Sequence, residues 1–404
     1  MFEEKLEKIY DGYVEGTGIR KVVWRKTVDA SPDIQREVGK RFNFSIQAFS
    51  GKKVLVIGLG TLGGEILKDL ILAGVSEITC IDLDTTEYWN LQRCALLRSS
   101  DVGKSKALES ARRGAELSPS GATVTGIHAD VTMLGFGIVR DYDVVMSPVD
   151  SWAIRAYASA AASFYGKTHI SCGTAVIDDV MCATVTIEPA GCNACYSCMV
   201  PGTLKEEEKK LSCLDYKPQT QPQVIAFSSA AAGLATQLAI NSLLGTLDTP
   251  KGADGRPLAC KYIIRELGKY DDRRSPVVIT NVMSRSDDTA CLHHRSVSES
   301  ADGEVKEIHI CRDCTTGEMI SALRGVFGHG DEFMFDFRQS MLFYLAFPKK
   351  EKGTQAAPVS TMLVFEGSGM DPEIMSALPA EHVYFVSETS GPEDETRIVR
   401  MILE

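Results

Sequence analysis

Two hydrophobic rhythms run along the chain. From residue 53 onward, short unbroken apolar runs alternate with longer stretches whose apolar positions recur every three or four residues. Residues 54–57, Val-Leu-Val-Ile, are the first such run and predict a strand buried on both faces. Residues 65–73 predict a helix, 77–83 a second strand, 104–117 a helix with one polar face, and 123–128 a third strand. A fourth strand is predicted at 143–147 and a fifth at 168–172. This alternation predicts an α/β domain built on a doubly wound parallel sheet, because each parallel crossover needs a helix. Residues 1–50 mix charged and aromatic positions and predict an N-terminal helical segment. Residues 192–222 are polar and cysteine-bearing and break the alternation, after which 224–244 predict a long helix of small, uncharged residues. A polar stretch at 284–303 predicts a linker. Beyond it lie a predicted strand (305–310), helix (317–326), strand pair (332–337 and 341–347) and two closing strands (382–387 and 397–403). The expected organisation is an N-terminal segment over 1–50, a main domain over 51–300 and a small α+β domain over 305–404.

Composition narrows the classes. With 404 residues, 44% hydrophobic and 24% charged, the chain has the make-up of a soluble globular protein of two or three domains, which excludes wholesale disorder. A net charge of −11 without long Lys/Arg runs argues against nucleic acid or anionic membrane as a partner. The uncharged run 218–247 carries Ser228, Ser229, Gln237, Asn241 and Ser242, so a buried helix is expected rather than a membrane span. Charges throughout the first ten residues point away from a signal peptide and toward a cytoplasmic location. The twelve cysteines are too sparse for a disulfide scaffold but are clustered, which in the cytosol favours metal or catalysis.

The main chemical signal is Gly58-Leu-Gly60-Thr-Leu-Gly63, which follows the first buried strand and opens a helix. Glycines there let the backbone turn tightly and approach a phosphate seated on the helix N-terminus. Asp82 ends the next strand, where a carboxylate can accept hydrogen bonds from ribose hydroxyls. So far the pattern fits NAD as well as ATP. Asn90, Arg93, Lys106 and Asp150 change the balance, with Asp150 just past the fourth strand at the carboxyl edge of the sheet. Hydride transfer needs no convergence of Arg, Lys and a carboxylate on a phosphate tail. Nucleotidyl transfer does: cations neutralise charge developing on the phosphates and the carboxylate holds Mg²⁺. Each of these residues alone is more often a surface charge.

Gly58-x-Gly60-x-x-Gly63, Ile81-Asp82-Leu-Asp84, Asn90-Leu-Gln-Arg93, Gly103-Lys-Ser-Lys106 and Val149-Asp150 together resemble the ThiF/MoeB/HesA family of ATP-dependent adenylating enzymes, which includes the ubiquitin-activating enzymes. The resemblance covers residues 50–295 and implies a Rossmann-like fold. It also implies that Asp82 contacts the ribose, that Asn90, Arg93 and Lys106 contact the phosphates, and that Asp150 is the Mg²⁺-linked carboxylate. Two positions depart from the family pattern. Cys94 stands where the family often has Gln, and Gln35-Arg36 reverses the Arg-Gln that reaches a partner subunit's ATP. The resemblance further implies a homodimer, with Arg36 as the residue lent across it.

Cys195-Tyr-Ser-Cys198 offers two thiolates at a spacing that suits one side of a tetrahedral, structural Zn²⁺. Cys291 and His294 can supply the other pair, where the family usually has its second C-x-x-C. Cys311 with Cys314 is a rival closure, and Cys192 a third reading. Alternatively, Cys195 and Cys198 are small packing residues. Cys213, on the polar stretch after this pair, matches the loop on which ubiquitin-activating members carry their thioester cysteine. Lys209 and Lys210 would lower its pKa, and Glu206 to Glu208 would oppose them. The plain alternative is an incidental loop cysteine.

Residues 305–404 hold nine Lys/Arg against sixteen Asp/Glu, a net −7 of the chain's −11. Their strand–helix–strand order resembles a β-grasp, the fold that recruits conjugating enzymes in some relatives. A dimerising or stabilising appendage is the alternative. Cys311 and Cys314 lack a thioredoxin-like context for a redox pair. The leading expectation is adenylation of the C-terminal carboxylate of a ubiquitin-like protein, a thioester on Cys213, and transfer to a conjugating enzyme. The alternatives are an adenylating enzyme for a sulfur-carrier protein or ribosomal peptide, or, from another class, an NAD-dependent oxidoreductase.

Overall fold

The computed structural model describes residues 3–15, 17–29, 46–177, 180–192, 194–199, 225–265, 279–283, 305–336, 361–370, 372–390 and 395–404. These fall into two units, one formed by residues 3–131, 139–199 and 225–283, the other by 132–138 and 305–404.

The first unit is built on a ten-stranded sheet. Its strands are β1 (Glu3–Tyr13), β2 (Arg20–Asp29), β3 (Lys53–Ile57), β4 (Glu77–Asp82), β5 (Ala122–His128), β6 (Val144–Ser147), β7 (Thr168–Ile177), β8 (Val180–Glu188), β9 (Ala259–Arg265) and β10 (Ile279–Met283). They lie in the order β1-β2-β5-β4-β3-β6-β7-β8-β9-β10. Strands β5, β4, β3, β6 and β7 are mutually parallel, and antiparallel strands extend the sheet on both sides. Winding runs outward from β3 to β5, then returns to β6 on the other side of β3. A doubly wound sheet opens its ligand crevice at that reversal.

The helices of this unit are α1 (Thr61–Ala73), α2 (Lys106–Leu117), α3 (Trp152–Phe164), α4 (Tyr196–Met199) and α5 (Ile225–Leu243). Val54 and Val56 enter one core with Ile66, Leu67 and Leu70 of α1 and Ala231, Ala232 and Ala235 of α5. Leu55 and Ile57 are buried on the opposite face, as the two-residue repeat of a strand requires. Small side chains on α5 let it pack closely against α1, β7 and β8. Among the described residues no helix is long and apolar enough to cross a membrane.

The helical segment expected over 1–50 needs correction. Its described part forms the β1–β2 hairpin, followed only by a single 3₁₀ turn at Ile46–Phe49. Val22, Val23, Trp24, Thr27 and Val28 favour extended backbone, and β2 pairs with β5 from Arg20 to Lys26. The register of β1 shifts between Lys8 and Tyr10, so Ile9 interrupts the alternation that would have disclosed a strand. The sequence predicts only a strand over 168–172 here; the structure extends it to Ile177 and pairs it antiparallel with β8.

The second unit is α+β, as expected. It contains β11 (Lys306–Ile310), α6 (Thr316–Phe327), β12 (Glu332–Asp336), β13 (Thr361–Phe365), α7 (Pro372–Ala377), β14 (Glu381–Glu388) and β15 (Glu395–Leu403). The sheet order is β11-β15-β14-β12-β13, with β11 parallel to β15 and the other pairs antiparallel. First and last strands lie side by side and parallel, as in a β-grasp, but among the described residues that pair sits at the end of the sheet order. Thr315 caps α6, with Glu318 completing a reciprocal box. The linker expected at 284–303 and the strand expected at 341–347 lie outside the described residues.

Candidate functional site

The crevice starts with the turn after β3. Gly58 has φ +93°, in the left-handed region, and its N–H donates to the Ile81 carbonyl at 2.7 Å. A Cβ on Gly63 would lie 1.9 Å from the Gly58 carbonyl oxygen, so only glycine lets α1 start this close to the strand. Gly60 caps α1 without a side chain, and a Cβ there would meet nothing within 4 Å. The first turn of α1 carries no acidic residue. Open space at an uncapped helix N-terminus suits an anion.

Asp82, at the end of β4, closes one side. Its Oδ2 accepts the Leu59 N–H at 2.6 Å and its Oδ1 the Asp84 N–H at 2.7 Å. Burial raises the Asp82 pKa against the pull of Lys106 and these two amides. Lys106 opens α2 and reaches back to Asp84 Oδ2, 2.8 Å from its Nζ. Burial draws the Lys106 ammonium down, but Asp82 and the Asp84 hydrogen bond outweigh it, and its pKa ends above the usual value. The chain between them is closed by Thr86 N–H to Lys104 O (2.7 Å) and Gly103 N–H to Thr86 O (2.8 Å). That closed loop carries Asn90 and Arg93. Asn90 is buried, and its Oδ1 accepts the Glu87 N–H at 2.9 Å. Arg93 is half-buried, and among the described residues no carboxylate pairs with it.

Asp150 arrives from the other side of the reversal. It is exposed, one residue past Val149, whose side chain lies against Gly58: a Cβ on that glycine would be 2.5 Å from Val149 Cγ1. The structure therefore gathers Gly58, Gly60, Gly63, Asp82, Asp84, Asn90, Arg93, Lys106 and Asp150 around the switch point of the sheet. Cys94 is also here. It is buried, and burial pushes its thiol up against the pull of Lys106 and Arg93.

Cys195 and Cys198 are both buried, with Sγ atoms 3.7 Å apart. Two thiolates on a tetrahedral zinc with ~2.3 Å bonds stand ~3.8 Å apart, so the pair fits that metal. Among the described residues no group of three or more His, Cys, Asp or Glu gathers into a metal site. Cys291, His294, Cys213 and Arg36 lie outside the described residues. Mg²⁺ needs no such cluster, since one carboxylate and substrate phosphates commonly hold it.

Sequence reasoning missed the buried polar residues behind Asp150. Arg155 on α3 donates from Nε (2.8 Å) and Nη2 to the Val149 carbonyl and from Nη1 to the Tyr196 hydroxyl at 3.2 Å. His169 on β7 joins Ser147 Oγ (2.7 Å) to Glu188 Oε1 (2.9 Å). The available signal was a histidine inside a predicted strand; Gly173, where a Cβ would lie 2.0 Å from Arg155 Nη2, discloses its reason only in the structure.

Fold and crevice define a Rossmann-like α/β protein. Within that class the ThiF family pattern matches residues 33–267, more than half of the chain, and the chain belongs to the ThiF family. It is 39% identical over 111 residues to a NEDD8-activating enzyme E1 catalytic subunit of Caenorhabditis elegans, 28% of this chain and 26% of that protein. It is 34% identical over 125 residues to SUMO-activating enzyme subunit 2 of Dictyostelium discoideum (30% and 19%). Over 163 residues it is 31% identical to the adenylyltransferase and sulfurtransferase UBA4 of Lodderomyces elongisporus (40% and 35%). The chain thus spans about a third or less of the length of these relatives. E. coli MccB crystallised with AMPCPP and MccA aligns with a TM-score of 0.46 at 20% identity, over 61% of this chain and 68% of that one. Membership of the ThiF family sets aside the NAD-dependent reading.

Proposed function

We propose that this chain adenylates the C-terminal carboxylate of a ubiquitin-like protein, using ATP and Mg²⁺. The carrying observation is the convergence of the glycine turn, Lys106 and the Asp150 loop on one crevice. A substrate carboxylate oxygen attacks the α-phosphorus, the bond to the bridging oxygen breaks, and pyrophosphate leaves. Lys106 and Arg93 neutralise the phosphates, Asn90 donates from its amide, and the fixed Asp82 carboxylate keeps lone pairs for ribose hydroxyls. Asp150 would hold Mg²⁺, which supplies further charge neutralisation when bound. Similarity to NEDD8- and SUMO-activating enzymes supports a ubiquitin-like substrate. Similarity to an enzyme named as both adenylyltransferase and sulfurtransferase supports a second reading, a sulfur-carrier substrate.

ATP–pyrophosphate exchange with a glycine-ended ubiquitin-like acceptor tests the first step. Asp150→Ala is expected to slow exchange by ~10²–10³, the usual loss for one electrostatic group. Normal exchange in that variant would overturn the assignment. The proposal extends to a thioester on Cys213, a structural Zn²⁺ on Cys195, Cys198, Cys291 and His294, a cytoplasmic homodimer, and recruitment of a conjugating enzyme by residues 305–404. Cys213→Ala should release one pyrophosphate per site yet form no reductant-sensitive adduct; unchanged turnover would favour sulfur transfer.

A further inference from the structure

Arg155 is only 6% exposed, and among the described residues no carboxylate pairs with it. A second cation, Lys261, stands near enough that Arg155 adds to the burial lowering its pKa. Burying a guanidinium this way is costly, so the contacts it does make are informative. Two of its nitrogens converge on the Val149 carbonyl, immediately before Asp150, while Nη1 meets the Tyr196 hydroxyl. Trp152, two residues past Asp150, stacks under the guanidinium at 5.5 Å and lies 5.8 Å from the Tyr196 ring.

A second polar path reaches the same tyrosine. Ser147 ends β6 three residues before Asp150 and meets His169 Nε2; His169 Nδ1 meets Glu188; Ser159 donates to Glu188 and accepts the Tyr196 N–H at 2.9 Å. Every side chain on this path is buried. Tyr196 itself sits between Cys195 and Cys198. Both paths therefore join the cysteine turn to the backbone on either side of Pro148 and Val149, and Val149 is the residue packed on Gly58.

We propose that Arg155 and Tyr196 are positioning residues that hold the Asp150 loop against the glycine turn, with the cysteine turn as their anchor. The proposal rests on the reading of Asp150 as the Mg²⁺-linked carboxylate. Arg155 fixes the carbonyl of Val149, Val149 fixes the distance to Gly58, and Asp150 inherits its place from both. A small displacement of Asp150 costs metal-dependent binding, whereas the metal-free contact offered by Lys106 comes from α2, which follows β4 on the other side of β3 from β6.

The test uses the full chain and ATP, with MgCl₂ as the varied probe. The readout is Trp152 emission, isolated by Trp24→Phe and Trp89→Phe. Tyr196→Phe removes one hydroxyl and keeps the ring. It should raise the Mg²⁺ midpoint about ten-fold, the size of one charge-assisted hydrogen bond, and leave ATP affinity in EDTA unchanged. Arg155→Lys should shift the midpoint in the same direction. In an Asp150→Asn background, Tyr196→Phe should add nothing further. A wild-type midpoint in Asp150→Asn itself would sink the parent assignment. A raised midpoint in Asp150→Asn with a wild-type midpoint in Tyr196→Phe would sink the positioning role alone. An equal extra shift in both backgrounds would reduce Tyr196 to a packing residue and overturn the proposal.

Discussion

The first unit holds two pairs of a nitrogen-bearing side chain with a carboxylate, of similar geometry and opposite setting. Lys106 and Asp84 meet at 2.8 Å with side-chain exposures of 10% and 57%. His169 and Glu188 meet at 2.9 Å with exposures of 1% and 4%. The first is open on its acidic side, so Lys106 can exchange a protein carboxylate for a phosphate with little rearrangement. The second is sealed: each polar atom already has a protein partner, and solvent has no way in. On the proposed function the open pair meets ligand and the sealed pair holds scaffold, although the bond lengths alone would not separate them.

The largest expected effect falls on the open pair. Lys106→Met should slow ATP–pyrophosphate exchange by roughly 10²–10³ with the fold retained, since on the proposed function Lys106 is a cation that neutralises the phosphates. Circular dichroism alongside the exchange assay checks this, and loss of the folded signal would place Lys106 with the scaffold. Next, Glu188→Leu strands His169 and Ser159 without their acceptor. It should lower unfolding free energy by about 3 kcal/mol in a urea titration. A variant as stable as wild type would show that the sealed pair contributes nothing to the scaffold.

The smallest effect distinguishes thiols near the two pairs. Burial pushes Cys172 and Cys192 up to about 12 and raises Cys80 and Cys94 as well. Thiolate being the reactive form, these four should alkylate slowly at pH 7. Cys311, exposed, should label first among the described cysteines, as peptide mass spectrometry with iodoacetamide would show. Rapid labelling of Cys94 would mean that the crevice opens more than its packing implies.

The open site was legible in the sequence because its parts are local. A glycine turn announces itself between a strand and a helix, and Asp82 and Asp150 stand just where apolar runs stop. The sealed network was not legible. Ser147, His169 and Glu188 come from the ends or starts of three strands, and only their register makes them neighbours. Arg155 is one helical turn past the Ser151 cap and reads as an ordinary surface arginine until Gly173 is seen to leave room for it. The N-terminal hairpin escaped for another reason, the extra residue at Ile9.

Among the described residues β1 is the outermost strand of the ten, with one row of backbone donors and acceptors turned away from β2. Leu6, Ile9, Tyr10 and Tyr13 are exposed along it, the ingredients of a strand that recruits other strands. Between them stand Glu4, Lys5, Glu7, Lys8 and Asp11, and the register slips at Ile9. An incoming strand would have to match both the slip and the alternating charges. The irregularity that hid this hairpin from pattern reading thus also guards the molecule against uncontrolled polymerisation.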